Sequence, residues 1–545
     1  MEPDSPGPQP RVERVESVAM SADPARDPIV PQGMAERVAE LNRRRRQVME
    51  GGGASRLDKH RSEGKLTARE RIEALLDPDS FQEMFLFARH RCTLFGMADK
   101  ELPADGVVTG YGAVAQRLVH VASQDFTVAG GSAGEVHCDK IVEVMKDSLK
   151  TGSPFIFFND SGGARVQEGI DSLAGYGRIF YHNVLLSGVV PQIALICGPC
   201  AGGAAYSPAL TDFTIQTRKA QMFLTGPQVI KATTGEVVTA EELGGAVTQM
   251  NYSGVTHFVA EDDHHAVAIA RDLLSYLPSN NAEDPPLRPH DGRVEPDPTL
   301  ADLVPVNPRQ AYDMRAIIKR LVDFGTFLEV HENYAANVIV GFARIVGRPV
   351  GIIANQPAVM GGVLDIDSSD KAARFVRFCN AFNIPVVNLV DVPGFLPGIR
   401  QEYGGIIRHG AKMLFAYSAA TVPKVSVILR KAYGGAYLAM CAKELGADRV
   451  AAWPTAEIAV MGAEGAVNVV FRREIESADD PEAKRAELIE TYRANFSSPF
   501  VAASRRLVDD IIDPAQTRRY LAVSLEALRN KRDHRPEKKH GLIPL

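Results

Sequence analysis

The sequence predicts an α/β protein made of two tandem copies of one fold, related by internal duplication. Three observations carry that prediction. The first is a set of echoes. Val121-Ala-Ser-Gln-Asp-Phe-Thr-Val-Ala-Gly-Gly131 returns as Ile352-Ile-Ala-Asn-Gln-Pro-Ala-Val-Met-Gly-Gly362, Asp139-Lys140 as Asp370-Lys371, Asp160 as Asp391, and Gly202-Gly203 as Gly434-Gly435. The second is their spacing, 231 residues for the first three pairs and 232 for the last. The third is that continuous apolar runs alternate with helical periodicity in both halves. That is the pattern of parallel strands buried on both faces.

A chain of 545 residues is too long for one ordinary core. The duplication divides it. We expect a disordered tail over residues 1–33, a first domain over 34–290, a linker over 291–308 and a second domain over 309–545. The tail carries seven prolines and charges of alternating sign. It lacks the apolar core of a secretory signal, and Met20 or Met34 are alternative starts. The linker ends a longer stretch, 278–308, rich in proline, asparagine and acidic residues. A net charge of −6 offers nucleic acid no general attraction. No apolar run reaches the length of about 18 residues that a membrane span needs. Six sparse cysteines in apolar surroundings read as buried thiols of a cytoplasmic protein.

The elements follow in order. Val38, Leu41 and Val48 give residues 34–49 a helical period around Arg43-Arg44-Arg45-Arg46, a run read as a solvated face. Thr67-Ala-Arg-Glu70 is a capping box opening a helix that stops before Asp77-Pro78. In the first copy, residues 117–123 form a strand. Cys138, Ile141, Val142, Met145 and Leu149 mark one face of a helix. Residues 155–158 are a strand ending at Asn159-Asp160, and 191–196 are the next. In the second copy, residues 349–354 are a strand. Ala372, Phe375, Val376, Cys379 and Phe382 line a helix, and 384–390 and 424–429 are strands. The basic stretch 529–540 reads as a solvated tail.

The chemistry concentrates at two strand-to-helix turns, Cys200-Ala-Gly-Gly-Ala-Ala-Tyr206 and Lys431-Ala-Tyr-Gly-Gly-Ala-Tyr437. Glycine lets a ligand approach the backbone closely. The first N–H groups of the following helix have no internal partner, and the helix dipole adds positive potential. Each turn is therefore a candidate oxyanion hole. Ser161-Gly162-Gly163-Ala164-Arg165 and Val392-Pro393-Gly394-Phe395 each follow a strand ending in Asp. They are candidate walls of the cleft, because ligands of α/β folds sit beyond the carboxyl ends of strands.

On these and further motifs the chain resembles the β subunit (carboxyltransferase) of biotin-dependent acyl-CoA carboxylases of the propionyl-CoA or acetyl-CoA type. The marks are Gly64-Lys-Leu-Thr-Ala-Arg-Glu-Arg71, Asp105-Gly-Val-Val-Thr-Gly-Tyr-Gly112, Tyr206-Ser-Pro-Ala-Leu-Thr-Asp212, Asp391-Val-Pro-Gly-Phe-Leu-Pro397, Trp453-Pro-Thr-Ala-Glu-Ile-Ala-Val-Met-Gly462 and the terminus His540-Gly-Leu-Ile-Pro-Leu545. The resemblance implies a crotonase-like (ClpP/crotonase) fold in each half. It implies acyl-CoA bound mainly by the first half, around Ser161 to Arg165, and biotin by the second, around Pro393, Gly394, Phe395 and Gly434. Gly202 and Gly203 would hold the thioester oxygen as it becomes an enolate; Gly435 and Ala436 would hold the ureido oxygen of biotin. The freed biotin nitrogen would take the α-proton, so no side-chain base is needed. The resemblance also implies a site shared between subunits, a homohexamer, and no metal in this chain. With no P-loop and no credible biotinyl lysine, a partner α subunit must carry and carboxylate the biotin. Where such enzymes of the propionyl type carry Asp after Gly-Gly-Ala-Tyr, this chain has Leu438. That change implies tolerance of acetyl or longer chains as well as propionyl. Two other readings stay open: a biotin-dependent decarboxylase subunit running the transfer backwards, and a non-catalytic CoA-binding scaffold.

Four motifs are weighed and set aside. Gly130-Gly-Ser-Ala-Gly134 matches a nucleophile elbow, but the second copy has no serine there. Cys197-Gly-Pro-Cys200 has redox spacing but no second pair for zinc. His264-His265 reads as a surface pair. Val144-Met-Lys146 falls on a predicted helix, in the wrong context for biotinylation.

Overall fold

The computed structural model describes residues 33–545, and the expected tail, with Met20, lies outside them except for Gly33. Two compact units are distinguished, one ending at Gln47 and the other running from Val48 to Leu545. The first is carried by the helix Met34–Met49, which buries none of its residues and pairs Glu40 with Arg43 and Arg44. The Arg run is thus a solvated face, as its sequence implies.

The second unit holds two eight-stranded sheets. The first comprises β1 (Gln82–Met84), β2 (Val107–Val114), β3 (Arg117–Gln124), β4 (Phe155–Ser161), β5 (Gln192–Ala201), β6 (Phe213–Thr217), β7 (Gln221–Phe223) and β8 (Phe258–Ala260). The second comprises β9 (Leu328–Val330), β10 (Val338–Ile345), β11 (Arg348–Asn355), β12 (Val386–Val392), β13 (Lys424–Tyr433), β14 (Arg449–Ala452), β15 (Glu457–Ala459) and β16 (Asp510–Ile511). The orders are β1-β2-β3-β4-β5-β6-β8 and β9-β10-β11-β12-β13-β14-β16, with β7 added to β5 and β15 to β13. Every strand thus has a counterpart, and pairing is antiparallel up to β3 or β11 and parallel beyond. The central strands β4 and β12 are buried at every position because helices cover both faces.

The predicted helix faces are where the period puts them. Cys138, Ile141, Val142 and Met145 are buried on Glu135–Thr151, and Ala372, Phe375, Val376 and Cys379 on Ile366–Ala381. The capping box at Thr67 forms as read, with Thr67 accepting from Glu70 N–H and Glu70 returning a bond to the Thr67 N–H. The core runs through both halves. Phe213 on β6 meets Phe378 edge-on at 4.7 Å between centroids, and Phe342 on β10 at 5.8 Å. Such pairs add about 0.5–1.5 kcal/mol each beyond their burial. The segment 278–308 is bound down rather than free: Arg344 donates to Pro286 O, Arg288 N–H to Gly347 O, and Leu300 is fully buried. The basic C-terminal stretch is likewise not merely solvated, since Lys531 pairs with Asp448 at 2.9 Å.

Candidate active site

The two glycine turns lie at the carboxyl ends of equivalent strands. β5 ends at Ala201 and passes into a tight turn, Gly202–Ala205, then the short helix Tyr206–Leu210. β13 ends at Tyr433 and passes directly into the helix Gly434–Ala439. Gly202 has φ 62° and Gly434 φ 59°, a region that costs any other residue about 1–2 kcal/mol. The first glycine of each pair is thus demanded by the backbone. The second is not. Gly203 has ordinary φ, and a Cβ there would lie 3.4 Å from the Tyr176 ring. Gly435 has ordinary φ, is exposed, and a Cβ there would meet nothing within 4 Å. A glycine with neither strain nor crowding to explain it leaves room beside the open N–H groups of the turn. Ala436, which comes next, is buried.

The flanking loops sit beside these turns because β4 pairs with β5 through Ser161↔Cys200, and β12 with β13 through Val392↔Ala432. Ser161 Oγ donates to Gly131 O at 2.7 Å and accepts from Gly163 N–H at 3.1 Å. Gly163 O accepts from Ala133 N–H, and Leu364 N–H donates to Gly394 O in the second copy. Gly162 and Ala164 are the exposed members of the first loop. Pro393, Gly394 and Phe395 are half-buried, and Phe395 packs over Gly410. Leu438 is 38 % exposed, on the helix that begins at Gly434.

Arg165 faces inward. It is 2 % exposed and bridges Asp105 at 2.6 Å and Glu168 at 2.7 Å, with a further bond to Ser132 O at 2.8 Å. Glu168 in turn accepts from Glu135 N–H at 2.7 Å, at the start of the helix Glu135–Thr151. Any side chain at Gly134 would strike this cluster. Two buried lysines are matched between copies. Lys140 donates to Ala104 O and Val107 O, and Lys371 to His331 O and Tyr334 O. Burial lowers both ammonium groups to about 7. Lys140 thereby pins the loop bearing Asp105, and Asp105 holds Arg165.

The motifs set aside stay outside this machinery. Ser132 Oγ donates to Ala129 O, Cys197 and Cys200 are buried free thiols raised by desolvation, and His265 N–H bonds the capping Asp262. Lys146 pairs with Glu143 on its helix. Among the described residues no cluster of three His, Cys, Asp or Glu is placed to hold a metal, and no helix is long and apolar enough to cross a membrane. A cavity of about 610 Å³ lies between the halves, lined by Asp212, His257, His331, Lys371 and Arg374 among others. None of the turn residues lines it. Exposed apolar side chains stand on elements that pack beside the turns: Ile170, Leu173, Tyr181 and Val184 on the helix Ile170–Leu186, Tyr206, and, in the second half, Ile407 on the helix Ile406–Ala419 and Val460.

The residues missed in the sequence are Asp105, Glu168, Arg71 and Arg430, together with the roles of Asp160 and Asp391. The signals that bear on them are the repetition of Asp160 and Lys140 in the second copy and the places of Arg71 and Asp105 at the ends of two of the motifs quoted above.

Comparison with known proteins adds the chemistry. The carboxyl transferase domain model matches residues 59–543. The chain is 62% identical to the methylmalonyl-CoA carboxyltransferase 12S subunit of Propionibacterium freudenreichii subsp. shermanii, covering 94% of this chain and 98% of that one. It is 54% identical to the methylmalonyl-CoA decarboxylase subunit alpha of Propionigenium modestum, over 94% and 99%, and 54% identical to the propionyl-CoA carboxylase carboxyltransferase subunit of Haloferax mediterranei, over 94% and 100%. Its structure superposes with TM-score 0.93 on a transcarboxylase 12S crystal structure of 62% identity, covering 94% and 99%, a hexamer assembly with methylmalonyl-coenzyme A and methylmalonic acid bound.

Proposed function

The chain belongs to the carboxyl transferase domain family, and from that premise we propose that its two glycine turns divide one reaction between them. It is a biotin-dependent acyl-CoA carboxyltransferase with two tandem crotonase-like halves. The turn at Gly202-Gly203 faces the thioester of an acyl-CoA, and the turn at Gly435-Ala436 faces biotin. The observation that carries this assignment is the match itself: equivalent strands, equivalent positive φ at Gly202 and Gly434, and open space at Gly435.

A carboxylated biotin brought by a partner subunit would supply the carboxyl group, and its freed ring nitrogen would take the α-proton of the thioester. The Gly435 and Ala436 N–H groups would hold its ureido oxygen as that oxygen gains charge. The Gly202 and Gly203 N–H groups receive the charge that develops on the thioester oxygen as the α-carbon becomes nucleophilic. Each fixed donor contributes roughly 3–4 kcal/mol in a site closed to water. Ser161, Gly162, Gly163 and Ala164 wall the CoA side, with Arg165 holding that wall from behind. Pro393, Gly394, Phe395 and Gly434 wall the biotin side. Leu438 borders the acyl pocket, and the substrate is a short acyl-CoA: propionyl-CoA by the relatives' names, with acetyl and longer chains admitted by the apolar side chain.

The exposed apolar rims around both turns support a homo-oligomer in which one subunit's first half faces another's second half, a hexamer like the transcarboxylase 12S assembly. Incubation with a biotinylated carrier and its carboxylase, ATP, labelled bicarbonate and propionyl-CoA tests the reading. Label in a carboxylated CoA ester is expected. No forward incorporation, with transfer of label to biotin from a separately supplied carboxyl-labelled CoA ester, supports the decarboxylase direction, and CoA binding without turnover supports a scaffold.

A further inference from the structure

The strand leading into each glycine turn is irregular in the same way. Between β4 and β5 the register steps from Asn159↔Ile196 to Ser161↔Cys200, and between β12 and β13 from Val390↔Ile428 to Val392↔Ala432. Two residues of one strand oppose four of the other. Asp160 and Asp391 stand at the step, both with no exposed surface. Bulges beside functional sites re-aim the residues beyond them, and here those residues are the glycine pairs.

Each carboxylate is tied to a buried arginine, but the arginine comes from a different place. In the second copy it is Arg430, inside the bulge. Its Nε and Nη2 reach Asp391 Oδ2 at 3.1 and 3.0 Å, Tyr312 donates to the same oxygen at 2.9 Å, and Oδ1 accepts from Lys431 N–H at 3.0 Å. Arg430 Nη1 also caps the carbonyls of Pro305, Asn307 and Gln310. In the first copy the position equivalent to Arg430 is Gly198, where a Cβ would fall 2.0 Å from Asp160 Oδ1. The cation is Arg71, from the helix Ala68–Leu75, which joins Asp160 Oδ2 at 2.9 Å to Asp263 Oδ2 at 2.8 Å. The position equivalent to Lys431 is Pro199, which has no N–H, and Asp160 Oδ1 is left without a partner. In both copies the backbone N–H of the aspartate is held by a side-chain amide oxygen, from Gln124 or Asn355.

We infer that Asp160 with Arg71, and Asp391 with Arg430, are positioning pairs that set the two oxyanion turns independently. The inference rests on the carboxyltransferase reading above. Because each pair acts on its own bulge, loosening one displaces one set of N–H donors and leaves the other in place. A lysine keeps the charge but cannot reproduce a guanidinium fork that bridges two partners, so Arg71→Lys and Arg430→Lys are the test variants.

Three quantities separate the sites: the Kd of propionyl-CoA, the Kd of a CoA analogue whose nitronate imitates the enolate charge, and kcat with saturating carboxylated carrier. For Arg71→Lys, nitronate affinity and kcat are expected to fall about 10- to 100-fold, the scale of a donor misplaced by an ångström, while propionyl-CoA affinity holds within about 3-fold. For Arg430→Lys, kcat is expected to fall by a similar factor while both affinities stay at wild-type values. Circular dichroism and thermal midpoints confirm folding; if Arg71→Lys does not fold, Asp263→Ala, which keeps the Arg71–Asp160 contact and removes its second anchor, is measured instead with the same expectation. Equal loss of nitronate affinity in both variants, or wild-type kcat in either, overturns the inference. A wild-type chain that binds neither CoA ligand overturns the carboxyltransferase reading and the inference with it.

Discussion

Replacing Gly435 by alanine separates what the turn does for the fold from what it does for the reaction. Gly435 has ordinary φ, and its Cβ would have nothing within 4 Å. The folded chain therefore accepts the methyl group, and restricting the unfolded chain stabilises it by about 0.4–1 kcal/mol. Its neighbour gives the contrast. Alanine at Gly434 must adopt φ 59° and place its Cβ 2.9 Å from Val460 O, at a cost of at least about 1–2 kcal/mol. Catalysis should order the pair differently from stability. The Gly435 methyl would stand where the ureido oxygen approaches, and a lost oxyanion donor costs about 10²–10³ in kcat. Thermal unfolding and labelled-bicarbonate incorporation, run on the same preparations, measure both effects. The expected result is an intact or slightly raised midpoint with activity down at least 100-fold for Gly435→Ala, and a lowered midpoint for Gly434→Ala. Gly435→Ala with wild-type kcat refutes the claim that this space receives a carbonyl oxygen.

Other consequences are as direct. Arg165→Met leaves the buried carboxylates of Asp105 and Glu168 uncompensated and is expected to destabilise the chain by about 3–5 kcal/mol, which denaturant unfolding measures. His137 and His331 are kept neutral by burial, each lowered to about 3. The unfolded chain takes up their protons near pH 6.5, so stability should fall as pH drops from about 6.5 towards 3 and be flat above that window on their account; His137→Asn should reduce the slope of midpoint against pH. Leu438→Asp should move the kcat/KM profile across C2 to C8 acyl-CoAs towards shorter chains, and an unchanged profile would remove Leu438 from the acyl pocket.

Much of this was legible in the chain because the duplication prints each element twice. The strand ending at Asp160 and the helix bearing Cys138 and Ile141 were readable from continuous and 3.6-residue apolar periods. Glycine turns after two equivalent strands marked the candidate site. The burial of Arg165 was not legible for a physical reason: a motif gives the neighbours of a residue in sequence, and its ion pair with Asp105 reaches 60 residues away. The Arg71–Asp263 bond spans 192 residues, and no local pattern announces it. The same holds for the segment 278–308, whose composition is that of a linker while Arg344 and Leu300 fasten it to the core.

Mixing two inactive subunits tests most directly whether the two turns share one crevice across subunits. Gly203→Pro removes a donor from the first turn and Gly435→Pro from the second, and each homo-oligomer should be inactive. Co-expressed, half of randomly formed pairs are mixed, and one of the two sites in each such pair combines two intact turns. Recovery of about a quarter of wild-type activity is therefore expected. Mixed oligomers, verified by mass, that show no activity would mean that the two turns do not meet across subunits.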